Sequence, residues 1–386
     1  MKIFKYLLLL GLFQSAFANA QDVYYAGFSF IGDSEQNSIR YPVASKLVNE
    51  KNTNNLSPLD DLLRNEVNKL KRTDLVLKKE QGKLSSGNSV ALSFALNDES
   101  IESNKWGGKY LYIYRVVANI LVFDFDERKV IADYPVMVQY QDVTDAPRNS
   151  DAHEIVLRKI YTDQNFEQNI FKEWVKRLET VSVKPFYKEY LQIRSVKLDD
   201  GVYESLPDQL KKPNLYETQV AQLVEFQLSA NQGVPLLPFA SGQSITNQDR
   251  GMVAKFSDGN TYKLKLPEAG YVIDLLVRPF KIASEVNNGI KQNAYGSFIT
   301  MKVLEPGLNT IYLDSKFKNI NYVAYSNNSD TQLDTWQAYQ TSLRALFSNL
   351  TKQISIRNKE ALSKITQTPD IDKQLSSFNE VLKKCM

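Results

Sequence analysis

One cysteine and one histidine are all that this 386-residue chain holds of two residue types heavily used in metal binding and nucleophilic catalysis. Cys385 stands alone, so no disulfide can form within the chain and its stability must come from packing. His153 also stands alone, in Asp151-Ala152-His153-Glu154. A zinc site normally gathers three or four protein ligands, and a serine hydrolase would have to use this one imidazole. It reads more simply as a residue of a surface helix whose start Asp151 favours. No Gly-x-Ser-x-Gly elbow, phosphate-binding Gly-rich loop or dinucleotide fingerprint is present, and Trp106-Gly107-Gly108 reads as a turn feeding a strand. We therefore expect no catalytic residue, no metal site and no cofactor. An excess of one charge is lacking too: 47 Lys and Arg against 44 Asp and Glu argue against a nucleic acid partner. Beyond position 20 no apolar run reaches the roughly 20 residues that a membrane-crossing helix needs.

What is present begins at the amino terminus. Met1-Lys2-Ile3-Phe4-Lys5, an apolar run over 6–13, and Ala18-Asn19-Ala20 have the form of a secretory signal, with cleavage expected after Ala20. No cysteine follows that run, so lipid attachment is not expected and the product should be soluble in the periplasm of a Gram-negative bacterium. Residues 21–386 exceed what one core of roughly 250 to 300 residues serves, and two domains are expected. With 43% hydrophobic and 24% charged residues the chain is globular in composition.

The chain reads as α+β: two mixed-sheet domains, each with amphipathic helices packed on its sheet. The expected division is 1–20 signal peptide, 21–200 first domain, 201–232 helical linker, 233–357 second domain and 358–386 polar tail or helix. Residues 23–31 predict an opening strand. Ser57-Pro58-Leu59-Asp60 combines a capping hydroxyl, a proline at the first helical position and a first-turn carboxylate, ahead of Leu62, Leu63, Val67 and Leu70 at helical spacing. Residues 109–125 and 129–143 predict a long hairpin turning at Asp126-Glu127-Arg128. Its first arm is apolar on both faces, as a strand covered from both sides would be. Tyr110, Tyr112 and Tyr114 share one of those faces and are candidates for a binding platform, although they are also simply good strand residues. Residues 165–178 predict an amphipathic helix carrying Phe166, Ile170, Phe171, Trp174, Val175 and Leu178 on one side.

A second unit is expected to repeat the first. Val234-Pro235-Leu236-Leu237-Pro238-Phe239 echoes the opening strand, a hairpin pairs 271–282 with 297–304, further strand follows at 310–313 and 321–324, and 336–350 predicts a closing helix. Leu237, Pro238 and Phe239 are candidate binding residues, because a strand running into Ala240-Ser241-Gly242 often leaves a cleft at its end. The cations Lys69, Lys71, Arg72, Lys78 and Lys79 could touch anionic headgroups, though such clusters are usually solvated faces.

Residues 234–239 and, more faintly, Tyr25-Ala26-Gly27-Phe28 are similar to the opening strand of periplasmic domains related to the TolB amino-terminal domain and the curli secretion lipoprotein. The resemblance implies a small α+β domain used for protein contacts in the envelope, without a catalytic site. The lipidated cysteine of the curli family and the propeller repeats of TolB are absent here, so neither activity transfers. The expected function is a non-enzymatic assembly or interaction factor of the cell envelope or a secretion apparatus. Its partners would be envelope proteins, and peripheral membrane contact stays open. Two alternatives stand beside it: a periplasmic binding module for a lipid, glycan or peptide, and a glycan hydrolase working through carboxylates alone.

Overall fold

Two antiparallel meanders, each preceded by a strand that runs parallel to its first member, organise the chain. The structure, a computed structural model, describes residues 20–32, 37–51, 57–79, 89–106, 108–239, 251–257, 259–326 and 335–386. The expected export signal up to residue 19, the loop at 82–88 and residues 240–242 lie outside the described residues. The first unit runs β1 (Gln21–Ile31), α1 (Asn37–Arg40), α2 (Pro42–Asn49), α3 (Pro58–Val67), β2 (Leu75–Lys78), β3 (Val90–Trp106), β4 (Lys109–Asp124), β5 (Lys129–Thr144), α4 (Ser150–Thr162) and α5 (Ile170–Leu178). The second runs β6 (Leu191–Leu198), α6 (Asp200–Ser205), α7 (Leu215–Gln232), β7 (Gly251–Phe256), β8 (Thr261–Lys265), β9 (Tyr271–Asn287), β10 (Ile290–Glu305), β11 (Thr310–Ser326), α8 (Thr335–Ile356), α9 (Lys359–Ile365) and α10 (Ile371–Lys384).

The protein is α+β with two mixed sheets, and the same strand order recurs in both. β1 lies parallel to β3, which leads the meander β3-β4-β5; β6 lies parallel to β9, which leads β9-β10-β11. This order places the second opening strand at Leu191–Leu198, not at 234–239. The latter segment makes only two isolated bridges, Leu236 with Asp133 and Leu237 with Gln192. The six residues that carried most of the family resemblance therefore hold a different place from the strand they resemble.

Two other expectations are corrected and one is resolved. Residues 201–232 are no linker, since α7 packs against β5 of the first sheet and against β6 and α8 of the second unit. Of the tail or helix expected at 358–386 the helix holds, as α9 and α10, and Leu375, Phe378, Val381 and Leu382 of α10 are fully buried in the second core. Cys385 is buried with them, and burial pushes its thiol up to about 12, away from ready disulfide chemistry. The β7–β8 hairpin, finally, belongs to the first sheet: β7 pairs with the end of β1, and β8 meets β5 at Lys265 and Lys129.

Local chemistry accounts for the elements. Ser57 Oγ accepts from the Asp60 amide at 3.1 Å and Pro58 opens α3, as the capping pattern predicts. The amphipathic helix begins later than its hydrophobic period suggested, because Asn169 caps it by accepting from the Phe171 and Lys172 amides. Asn288 and Gly289, both at positive φ, form the two-residue turn of the β9–β10 hairpin. The two faces of β4 are buried, as its composition implied: Tyr112, Tyr114 and Val116 face the helices of the first unit, while Leu121 and Phe123 face β7, β8 and Leu237. Among the described residues no helix is long and apolar enough to cross a membrane.

Helix α2 has no capping side chain of its own, and Glu99 of β3 supplies one from a distance. Its two carboxylate oxygens accept from the Val43 amide at 2.8 Å and the Ala44 amide at 3.0 Å, and Tyr161 of α4 donates to it at 2.8 Å. Three elements thus meet at one buried acid. Glu99→Ala strands two helical amides and a tyrosine hydroxyl, and we expect it to lower unfolding stability by about 3 kcal/mol. Glu99→Gln, which keeps acceptor oxygen, should lose less. Urea unfolding followed by circular dichroism checks both, and equal losses would contradict the capping account.

Candidate interaction surfaces

The tyrosine row of β4 is brought together, but it is a wall of the core rather than an open platform. Tyr110 is half-buried, whereas Tyr112 is 2% and Tyr114 0% exposed, with neighbouring ring centroids 6.4 Å apart. Their hydroxyls are spoken for. The Arg148 amide donates to Tyr112 Oη and the Arg148 guanidinium to Tyr114 Oη, each at 2.8 Å, while Asp142 pairs with that guanidinium. His153 Nδ1 lies 2.9 Å from Tyr114 Oη. Its edge meets the Tyr112 ring, so the histidine is half-buried and not simply a surface residue. Burial, then the nearby Arg148 charge, hold the imidazole below its ordinary range. The group ties α4 and the loop before it onto β4. Among the described residues no set of three His, Cys, Asp or Glu side chains could hold a metal ion.

Leu237, Pro238 and Phe239 lie at the seam between the two sheets. Leu237 is fully buried and its amide donates to Leu191 O at 2.9 Å, while residues 240–242, at which the cleft is expected, lie outside the described residues. Gln192 Nε2 donates to Pro238 O at 3.0 Å, and the Phe239 amide donates to Glu225 Oε1 at 2.7 Å. Glu225 sits on α7, and Asp133 of β5 is close enough to act on its charge. Asn119 Nδ2 donates to Asp133 Oδ2 at 2.6 Å, while Asp133 Oδ1 and Asn119 Oδ1 are buried without a hydrogen-bond partner. Burial first, and for Glu225 also the neighbouring acid, raise both carboxyls well above the ordinary range. This buried acid pair has no signal in sequence, because the two residues are distant in the chain.

The exposed features lie on the second meander. Its helix-side face is buried under α7, α8 and α10, and its opposite face carries Leu276, Arg278, Phe298, Thr300, Lys316 and Lys318 half-buried or exposed. Beyond this face the strands run on as a three-stranded ribbon, in which every residue from 281 to 290 is exposed. Ile290 is 53% and Tyr322 62% exposed. β11 is the outer strand. Its lower edge is tied down, because the Asp314 amide donates to Gln374, and Thr366 and Ser342 hydroxyls donate to Lys316 O and Asn319 O. From 320 to 326 no outward hydrogen bond exists among the described residues.

No family model and no curated protein matches the chain. Solved structures that it resembles include a hypothetical protein of Chlamydia trachomatis, at 12% identity and a TM-score of 0.26, covering 42% of this chain and 96% of that one. A minor lipoprotein of Acinetobacter baumannii has 12% identity and a TM-score of 0.22, covering 47% and 97%. A Helicobacter pylori protein described as a homologue of neuraminyllactose-binding hemagglutinin has 12% identity and a TM-score of 0.27, covering 45% and 90%. Likeness at this level assigns no function.

The acid pair generates a pH prediction. Below about pH 4 these carboxyls are protonated in both folded and unfolded chains, and their burial carries no ionisation penalty. As pH rises, the unfolded chain ionises first and gains, so stability falls until pH passes the raised folded values. Asp133→Asn removes that loss. We expect the stability of the variant relative to the natural chain to increase as pH goes from 4 to 7, read by urea unfolding at each pH. A difference independent of pH would show that Asp133 ionises as readily folded as unfolded.

Proposed function

We propose that this protein is a non-enzymatic interaction factor of the bacterial envelope or of a secretion apparatus, exported to the periplasm of a Gram-negative cell, that docks partner proteins along the upper edge of β11. The observation that carries the reading is the contrast along that one strand. Side chains of α8, α10 and the segment between α9 and α10 bond the Asp314 amide and the Lys316 and Asn319 carbonyls below residue 320, and nothing among the described residues does so above it. A bare edge beside exposed Ile290, Ile320 and Tyr322 offers main-chain hydrogen bonds plus apolar contact, the ingredients of strand addition. Such docking needs no catalytic group. The most buried acids, Asp133 and Glu225, lie in the seam and not in an open cleft, and His153 is held by Tyr114, which favours binding over hydrolysis.

Photo-cross-linking in cells tests this. A benzoylphenylalanine placed at Tyr322 or Ile290 should yield discrete protein adducts, and one at exposed Phe186 of the first unit should not. Equal labelling from all three positions, or none from the ribbon in a folded and exported protein, would refute edge docking. Turnover of a glycan by the purified protein would refute its non-enzymatic character.

A further inference from the structure

The open face of the second sheet carries a groove of about 610 Å³ lined by the cations Arg278, Lys281, Lys316 and Lys318 and by Asp314. The strand register fixes who meets whom. Phe298 on the central strand stands opposite Arg278 on one side and Lys318 on the other, and the next row places Thr300 opposite Lys316. Gly296, two residues before Phe298, stands opposite Lys281. With strands about 4.8 Å apart, Arg278 and Lys318 flank the phenyl ring from roughly 10 Å apart at the backbone. Among the described residues none of Arg278, Lys281, Lys316 and Lys318 has a carboxylate within ion-pair distance. The acids of this face lean toward other cations: Asp274 pairs with Arg194, and Asp314, which lines the groove, lies 3.7 Å from Lys302.

The ring has an unusual seat. A Cβ built on Gly296 would meet two Phe298 ring atoms at 2.9 Å, so the phenyl group reaches back against the glycine. Any side chain at 296 would push it away. Lys281 Nζ stands over the ring, 5.9 Å from its centroid. Thr300 and Thr368 add hydroxyls to the groove and Asp314 adds a carboxylate that can accept hydrogen bonds.

We infer that this groove binds a phosphorylated saccharide. Four cations without an ion-pair partner among the described residues call for more than one negative charge, which a phosphate dianion supplies through charge-assisted hydrogen bonds. The half-buried Phe298 ring offers apolar surface to a sugar ring, and the hydroxyls and Asp314 suit its hydroxyl groups. A nucleic acid strand would bring phosphates toward Asp314. A bilayer is a broad surface and would not enter a groove walled by Pro279 and the 366–368 segment. This site lies on the sheet face and is separate from the strand-addition edge, so adducts at Tyr322 in an Arg278→Ala chain distinguish the failure of one reading from failure of the other.

Calorimetry on the full exported chain, with glucose 6-phosphate, glucose and inorganic phosphate as probes, tests the site. Glucose 6-phosphate should bind more tightly than either fragment. Arg278→Ala and Lys318→Ala should each weaken it at least tenfold, and Phe298→Leu should remove its advantage over inorganic phosphate. Lys318 is half-exposed and unpaired, so its variant keeps the natural melting temperature and guards against misfolding as the cause. Equal affinity for glucose 6-phosphate and inorganic phosphate in the natural chain overturns the assignment. So does binding only to a single-stranded oligonucleotide or to phosphatidylglycerol vesicles, or no binding at all.

Discussion

Helix α7 is the constraint on which the arrangement depends, because it is buried on opposite flanks by two different sheets. Tyr216, Val220, Val224 and Leu228 enter the second core, while Glu225 and Ser229 face the first unit, where Arg177 donates to Ser229 Oγ at 3.0 Å. A helix in that position keeps little surface for solvent, and its buried polar groups must find partners in the protein. It also cannot be removed with either unit. The β7–β8 hairpin binds the halves in the opposite sense, since it arises in the second unit and covers the far face of the first sheet, against Leu121 and Phe123. Two repeats that lend each other a helix and a hairpin should unfold as one cooperative body, even though each has its own sheet.

The same exchange explains which surfaces remain open. In the first unit both faces of the meander are covered, and β7 occupies part of the edge of β1. Among the described residues the second unit receives no corresponding hairpin: Val272 and Leu304 pack toward the first unit, the rest of that face of β9-β10-β11 is open, and its ribbon runs beyond the helices. At the ribbon Ile282, Val286, Ile290 and Tyr322 are exposed together.

Much of the architecture was legible because it rests on local signals. The Ser57-Pro58 cap, the one-sided helix ending at Leu178 and the hairpin turning at Arg128, which takes positive φ, all report short-range chemistry. Other elements were hidden for physical reasons. α7 was expected as a helix, but its burial on opposite flanks depends on two sheets distant in the chain, so it read as part of a linker. Residues 234–239 have a strand's composition, but two prolines remove amide donors and leave only two bridges. Leu191–Leu198 alternates more weakly and is the true opening strand, chosen by its parallel pairing with β9, a partner about eighty positions away. The tyrosine row was seen as a row, yet only tertiary packing decides that its hydroxyls are consumed by Arg148 and His153.

The open groove was the least legible feature, and the reason bears on how such sites arise. Arg278, Phe298 and Lys318 are separated by 20 residues at each step, and nothing in the neighbourhood of any one of them marks it. They meet because two hairpins bring positions 278, 298 and 318 into one cross-strand row. A sheet face of this kind can gain or lose a binding function through a few outward positions while the inward positions continue to hold the fold. Gly296 is the exception to that independence: its bare backbone seats the ring, so it couples the surface to the strand itself. In the second meander the outward row is set apart from the inward residues that form the core under α7, α8 and α10, so a change at 278 or 318 leaves that core untouched.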